Sequence, residues 1–196
     1  MSDHALIIFV KNPELGKVKT RLAKNVGDDE ALRIYKKLLD FTQKESSKAN
    51  ADSKVYYSSE ITKKDIWVNA QKKKQHSGDL GAKMAAAFQE ELVAYRKVCI
   101  IGTDCAELTS EVIDQAFNAL DSKDFVLGPA NDGGYYLLGM KDHHPQLFED
   151  VEWSTSAVLN QTIEKIKLMN ADYVLLPELI DVDTLKDWEL VMENFK

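Results

Sequence analysis

Lys11, Lys17, Lys19 and Arg21 crowd one short segment, Lys11-Asn12-Pro13-Glu14-Leu15-Gly16-Lys17-Val18-Lys19-Thr20-Arg21-Leu22, where only Glu14 opposes them. In a chain of net charge −7, such a basic loop points to a small anionic ligand such as a phosphate chain. Gly16 permits close backbone approach, and Lys19 and Arg21 have the donors and the reach to grip phosphate oxygens. The segment is not a Walker A loop. The first glycine is missing, and Val18 follows Gly16-Lys17 where a Ser or Thr should stand. On charge pattern alone, a solvated basic loop is an equally good reading.

A second cluster, Gly102-Thr103-Asp104-Cys105-Ala106-Glu107-Leu108, follows the most apolar run of the chain. A carboxylate at Asp104 suits a hard cation that bridges phosphates. The competing reading, a helix cap, is weaker because Thr109 and Ser110 stand nearer to the next helix. Glu107 could be a second ligand, but solvent exposure is the expectation. The third cluster is Asp181-Val182-Asp183, where alternate residues of an extended segment point to one side and could share one ion. Capping of the last helix by Asp183 is compatible with metal binding by Asp181. Asn131-Asp132-Gly133-Gly134 has the composition of a hairpin turn and is also able to approach a ligand closely. In Trp153-Ser154-Thr155-Ser156 the hydroxyls at a helix start make either an N-cap or a phosphate pocket. No Gly-x-Ser-x-Gly elbow and no Cys-His pair is present, and His143-His144 reads as a loop beside Pro145.

These clusters need a scaffold that brings them together. Residues 5–10, 54–58, 97–102, 125–129, 135–140 and 172–176 read as strands. The run Val98-Cys99-Ile100-Ile101 shows no polar alternation, so both its faces should be covered. Helices are expected from Asp28 (apolar face Ala31, Tyr35, Leu38, Leu39), over residues 62–70, around Ala85, Phe88, Leu92 and Tyr95, from Thr109 or Ser110 to Leu120, from Ser154 to about Met169, and from Asp183 onward. Thr184 and Asp187 form a capping box for the last of these. The β-α alternation predicts a mostly parallel mixed sheet with helices on both faces, an α/β fold, with ligands beyond the carboxyl ends of the strands.

The chain of 196 residues suits one domain, with 44% hydrophobic and 29% charged residues. Its acidity argues against nucleic acid as a partner. No apolar run is long enough to span a membrane, and the short run at residues 5–10 lacks the flanks of a signal peptide, so a cytoplasmic location is expected. Cys99 and Cys105 are too few for a disulfide scaffold and lack zinc-site spacing.

In order and spacing, FVKNPELGKVKTRL, SGDLGAKMAAAF, GTDCAEL, LGPANDGGYYLLG, EWSTSAVL and DVDTLKDW resemble the bacterial glycosyltransferase-A-like family called domain of unknown function 2064, of the selenodomain-associated transferase type. That family is similar to the molybdenum-cofactor nucleotidyltransferases and the phospholactate guanylyltransferases. The resemblance implies a Rossmann-like glycosyltransferase-A fold. Asp104 matches the metal-binding aspartate, and Asp183, or Asp181 beside it, the second metal position. It places residues 77–81, with Asp79 and Gly81, near the nucleobase, and Asp132, Gly133 and Gly134 on the acceptor side. Ala106 departs from a usual proline, and Lys83 from a common arginine.

The reading that follows is metal-dependent nucleotidyl transfer. Mg²⁺ (or Mn²⁺) would be held by Asp104, Asp181 and Asp183. Lys19 and Arg21, with Lys11, Gly16 and Lys17, would serve the phosphates, and Ser154 and Ser156 would bind substrate. The partners are a nucleotide or nucleotide-sugar and a small acceptor, and a homodimer is left open. The alternatives are a glycosyltransferase using a nucleotide-sugar, since Asp181-Val182-Asp183 has the DxD form, and a non-catalytic sensor of nucleotides or sugar phosphates.

Overall fold

The computed structural model describes residues 2–195. The first strand, β1 (His4–Val10), is apolar on both faces, and Ala5, Leu6, Ile7 and Ile8 are fully buried. It feeds a loop, then α1 (Thr20–Val26) and α2 (Asp28–Ser46). Next come β2 (Asp52–Tyr57), β3 (Gln71–Lys74), α3 (Leu80–Glu91) and β4 (Lys97–Ile101). The second half runs α4 (Ser110–Ala119), β5 (Phe125–Pro129), β6 (Tyr135–Met140), α5 (Val158–Leu168), β7 (Tyr173–Leu175) and α6 (Leu185–Val191). The strands form one sheet in the order β3-β2-β1-β4-β6-β5-β7. Only β6 runs antiparallel to its neighbours, so the sheet is mixed and mostly parallel, as expected.

Two apolar layers cover the sheet. On one face Leu6, Ile8, Cys99 and Ile101 pack with Tyr35 and Leu39 of α2 and Ile113 and Phe117 of α4. On the other, Ile7, Val98 and Ile100 pack with Met84 and Phe88 of α3 and Ile166 of α5. Removing a side chain of this size from water contributes roughly 1.5–3 kcal/mol, which is why strands without polar alternation sit at the centre. Among the described residues no helix is long and apolar enough to cross a membrane.

Several expectations change. No helix forms over residues 62–70. The segment instead wraps around Lys72, whose ammonium takes the Thr62 and Lys63 carbonyls and the Asp65 carboxylate, while Asp65 also accepts from the Trp67 amide and the Tyr57 hydroxyl. These side-chain bonds supply the partners that a helical ladder would have supplied. The edge strand β3, sequence Gln-Lys-Lys-Lys, has no apolar signal, and its lysines suit an unpaired sheet edge. The basic loop ends in a helix, α1, that its charge density concealed. Helix α5 starts at Val158, not Ser154, and Ser154 itself has φ 65°. Helix α2 is preceded by Gly27 at the N-cap, so Asp28 is its first residue and not its cap. The capping box of Thr184 and Asp187 forms as expected.

Candidate active site

The chain leaves β1 toward β2 on one side and reaches β4 on the other, so the order of the sheet reverses between β1 and β4. The ends of two adjacent strands whose connections diverge leave a crevice, the usual ligand position in open α/β sheets. Here the crevice is a cleft of about 560 Å³. It is lined by Lys11, Lys17, Lys19, Arg21, Asp104, Asp132, Gly134, Ser154, Ser156, Asp181 and Asp183, all named from the sequence. The three polar clusters therefore converge although they are far apart in the chain.

Lys19 sits at the centre. It is the N-cap of α1 in a left-handed conformation, φ 49° and ψ 42°, which costs a non-glycine residue of order 1–3 kcal/mol. The twist turns its side chain inward, where only 5% is exposed. The ammonium lies 2.7 Å from Asp104 Oδ1 and also donates to the Val182 carbonyl. Val182 in turn donates its amide to the Asp104 carbonyl, and Cys105 and Asp181 form an isolated antiparallel bridge. The β4 loop and the Asp181–Asp183 segment are thus laced together around one cation. Arg21 pairs with Asp183 at 2.6 Å, but the arginine side chain is two-thirds exposed, so this pair exchanges readily for a ligand.

Asp181 is held by Asn131, whose side-chain oxygen accepts from the Asp181 amide. Burial raises the Asp181 carboxyl from the ordinary 3.8 to about 7; the Asp104, Asp132 and Asp183 charges add to the rise and Lys19 opposes it. Among the described residues no three Cys, His, Asp or Glu side chains are already clustered to hold an ion by themselves. Beside Asp104 burial pushes the Cys105 thiol well above its usual range, so it is no thiolate nucleophile.

Other expected residues play supporting parts. Asp79 accepts from the Ala82 amide at 2.8 Å as the N-cap of α3, and does not line the cleft. Gly81 lies against Trp153: a Cβ there would come within 2.6 Å of the indole nitrogen. Gly16 is at a positive φ in the exposed loop, outside the cleft lining. Glu107 is half-buried, accepts from the Ile180 amide and does not line the cleft. Asp132 accepts from the Gly134 amide within the hairpin turn, so the turn reading holds and the loop also reaches the cleft.

Gly133 locks that turn to the segment beyond Trp153. Its carbonyl accepts from Leu159, and a Cβ would meet the Ser156 carbonyl at 2.4 Å, with φ at 87° besides. Gly133→Ala is expected to cost about 2–4 kcal/mol, combining left-handed strain with a backbone clash. A urea melt measures it, and a loss under about 0.5 kcal/mol would show that the loop yields freely.

The sequence did not single out Tyr35. At helical spacing it reads as core, but its hydroxyl donates to the Lys11 carbonyl, accepts from the Lys11 amide and lies 3.2 Å from the Thr103 hydroxyl. It fastens the ends of the β1 and β4 loops together. Burial pushes its phenol up, so it stays protonated. Tyr35→Phe would orphan the Lys11 and Thr103 groups, with an expected cost of about 1–3 kcal/mol in a urea melt. Unchanged stability would remove Tyr35 from this role.

A protein of Desulfovibrio desulfuricans, provisionally described as a nucleotide-diphospho-sugar transferase, superposes with a TM-score of 0.93 at 31% identity, covering 100% of this chain and 89% of that one. A profile of the family described as "uncharacterized protein conserved in bacteria", DUF2064, matches residues 42–155. The chain belongs to the DUF2064 family. The inositol-1-phosphate CTP transferase of T. maritima shares the fold with this DUF2064 protein at 12% identity and a TM-score of 0.60, over 98% of this chain and 96% of that one. So does Rv0371c of Mycobacterium tuberculosis in complex with manganese, at 9% identity and a TM-score of 0.57, over 98% of this chain and 99% of that one. The DUF2064 chain thus has the fold of nucleotide-diphospho-sugar transferases. No curated protein matches it.

Proposed function

We propose that this chain transfers a nucleotidyl group from a nucleoside triphosphate to a small phosphorylated or hydroxyl acceptor, with Mg²⁺ or Mn²⁺ as its cofactor. The observation that carries this is the convergence of Lys19, Arg21, Asp104, Asp181 and Asp183 on one cleft at the switch point between β1 and β4. The shared fold with a CTP transferase and with a manganese-bound protein agrees with it.

The residues present fit such an ion. Asp104 and Asp181 are all-oxygen donors, crowded enough to repel each other. Mg²⁺ is ordinarily held by one or two carboxylates with substrate phosphates completing the shell, so a ready-made cage of three ligands is not required. Asp104 and Asp181, with Asp183, would hold it. When bound, it would supply Lewis-acid charge at the phosphate under attack.

The protein groups do the rest by position. Lys19 lies beside Asp104 and offers its ammonium to charge that grows on the transferred phosphate. Arg21 turns from Asp183 to the terminal phosphates, joined by the exposed Lys11 and Lys17. An acceptor oxygen attacks the α-phosphorus, the bond to the bridging oxygen breaks, and pyrophosphate leaves. An acceptor phosphate is already anionic and needs no general base, which agrees with the protonated states of Cys105 and Tyr35, whereas a hydroxyl acceptor would give its proton to the departing pyrophosphate.

A second reading uses a nucleotide-sugar donor, favoured by the description of the 31%-identical relative. Products separate the two. Pyrophosphate released from a triphosphate in the presence of phosphorylated acceptors supports nucleotidyl transfer. Nucleoside diphosphate released from a nucleotide-sugar, with no pyrophosphate from any triphosphate, would replace it with glycosyl transfer.

A further inference from the structure

The cleft has two unlike halves. The cations and carboxylates come from the β1–α1 loop, the β4 loop and the Asp181–Asp183 segment. The other half is apolar: Leu80 and Met84 of α3, Tyr135 at the start of β6, Trp153, and Val158 at the start of α5. Met84, Tyr135 and Trp153 belong to the packing layer shared by α3 and α5, so this compartment lies across the sheet end from Tyr35 and α2.

Two ring-bearing side chains, Tyr135 and Trp153, line the compartment. Trp153 is backed by Gly81, the residue whose missing Cβ leaves room both for the indole and for the Phe148 carbonyl. The Tyr135 hydroxyl is directed at the Met84 sulfur, 4.0 Å away, so its polar end is spent inside the protein. Polar groups border it, with Asp132 of the hairpin turn and Ser154, Thr155 and Ser156 all exposed.

In-line displacement decides which substrate belongs there. If Lys19, Arg21 and their neighbours hold the departing pyrophosphate, the attacking oxygen must come from the opposite side of the α-phosphorus. That side carries Tyr135, Trp153 and the rim hydroxyls. A wholly polar sugar phosphate would leave this wall unmatched and would lose its own hydration against it. Resting on the nucleotidyl-transfer reading, we propose that the acceptor carries an apolar, ring-bearing body that stacks on Trp153, with its phosphate or hydroxyl oriented by Ser154 and Ser156. Trp153 is then the residue that sets acceptor specificity.

The test uses two probes of matched charge, phenyl phosphate and glycerol 3-phosphate, titrated calorimetrically into the native protein, Trp153→Ala and Trp153→Phe. Thermal melts of all three with Mg²⁺ and each nucleoside triphosphate run in parallel. Phenyl phosphate is expected to bind at least about tenfold more tightly than glycerol 3-phosphate, because only the former has a ring to stack on the indole. That preference should vanish in Trp153→Ala and largely return in Trp153→Phe, with the triphosphate shift unchanged throughout. Equal binding of the two probes, a preference that survives Trp153→Ala, or a triphosphate shift that is lost in Trp153→Ala, which would make this wall beside Leu80 and Gly81 the nucleobase site, overturns the proposal. Stabilisation by a triphosphate depends on the other half of the cleft. Its absence alongside an intact ring preference would sink the nucleotidyl-transfer reading and leave a ring-binding site.

Discussion

Lys19→Ala is expected to lower turnover by about 10²–10³-fold, the loss typical of removing one preorganised donor from a developing oxyanion. The ammonium is buried, fixed between Asp104 and the Val182 carbonyl, and needs no reorganisation when charge shifts on the phosphate. Lys19→Arg should not rescue it, because a planar guanidinium does not fit where a compact ammonium is enclosed. Stability should respond separately. Asp104 is about one-third exposed and regains water when its partner goes, but the carbonyl of the fully buried Val182 loses its donor, so a folding cost of about 1–3 kcal/mol is expected. Lys19→Gly should be as inactive as Lys19→Ala yet about 1 kcal/mol more stable, since glycine relieves the left-handed strain at φ 49°. Steady-state kinetics and urea melts of the three variants check this. A Lys19→Ala enzyme with native turnover would show that the cation is structural only.

The second large effect concerns pH. The Asp181 carboxyl is raised from 3.8 to about 7 by burial and by neighbouring carboxylates. The folded state therefore holds this proton more tightly than the unfolded chain. The contribution of Asp181 to stability is fullest below about pH 4, declines as pH rises toward 7, and is gone above it. Asp181→Asn keeps the shape and removes the charge. It is expected to stabilise the ligand-free protein by about 1–2 kcal/mol at pH 8, with no gain at pH 4. A divalent cation reverses the balance. The proton must leave before the carboxylate ligates, so metal-dependent nucleotide affinity of the native protein should rise roughly tenfold per unit up to about pH 7 and then level off. Denaturant melts and nucleotide titrations across this range read both trends. Parallel stability curves for the native protein and Asp181→Asn would mean that Asp181 is not a raised acid.

The central strands and the three polar clusters were legible in the sequence because their signals are local. An unbroken apolar run such as Val98–Ile101 can only be covered on both faces, and a carboxylate just after it can only lie at a strand end. Convergence of Lys19 with Asp104 and Asp181 followed from that topology. What stayed hidden depends on partners distant in the chain. Tyr35 looks like any core aromatic of α2 until its hydroxyl meets Lys11 and Thr103. Asn131 reads as a turn residue, and its hold on Asp181 needs the fold. Residues 62–70 carry a plausible helical pattern, overridden by the bonds of Lys72 and Asp65. Trp153 passed as the residue before a helix cap, although Gly81 leaves space for its ring.

The most direct test is thermal unfolding with each nucleoside triphosphate, with and without Mg²⁺, in the native protein and in Asp104→Ala. Ligand at 100 times its Kd stabilises a protein by about 2.7 kcal/mol, a shift that is easily resolved. At least one triphosphate is predicted to raise the melting temperature of the native protein only when Mg²⁺ is present, and Asp104→Ala should abolish the rise. Failure of every triphosphate to stabilise the native protein, or an equal rise in Asp104→Ala, would contradict a metal-dependent nucleotide site between β1 and β4.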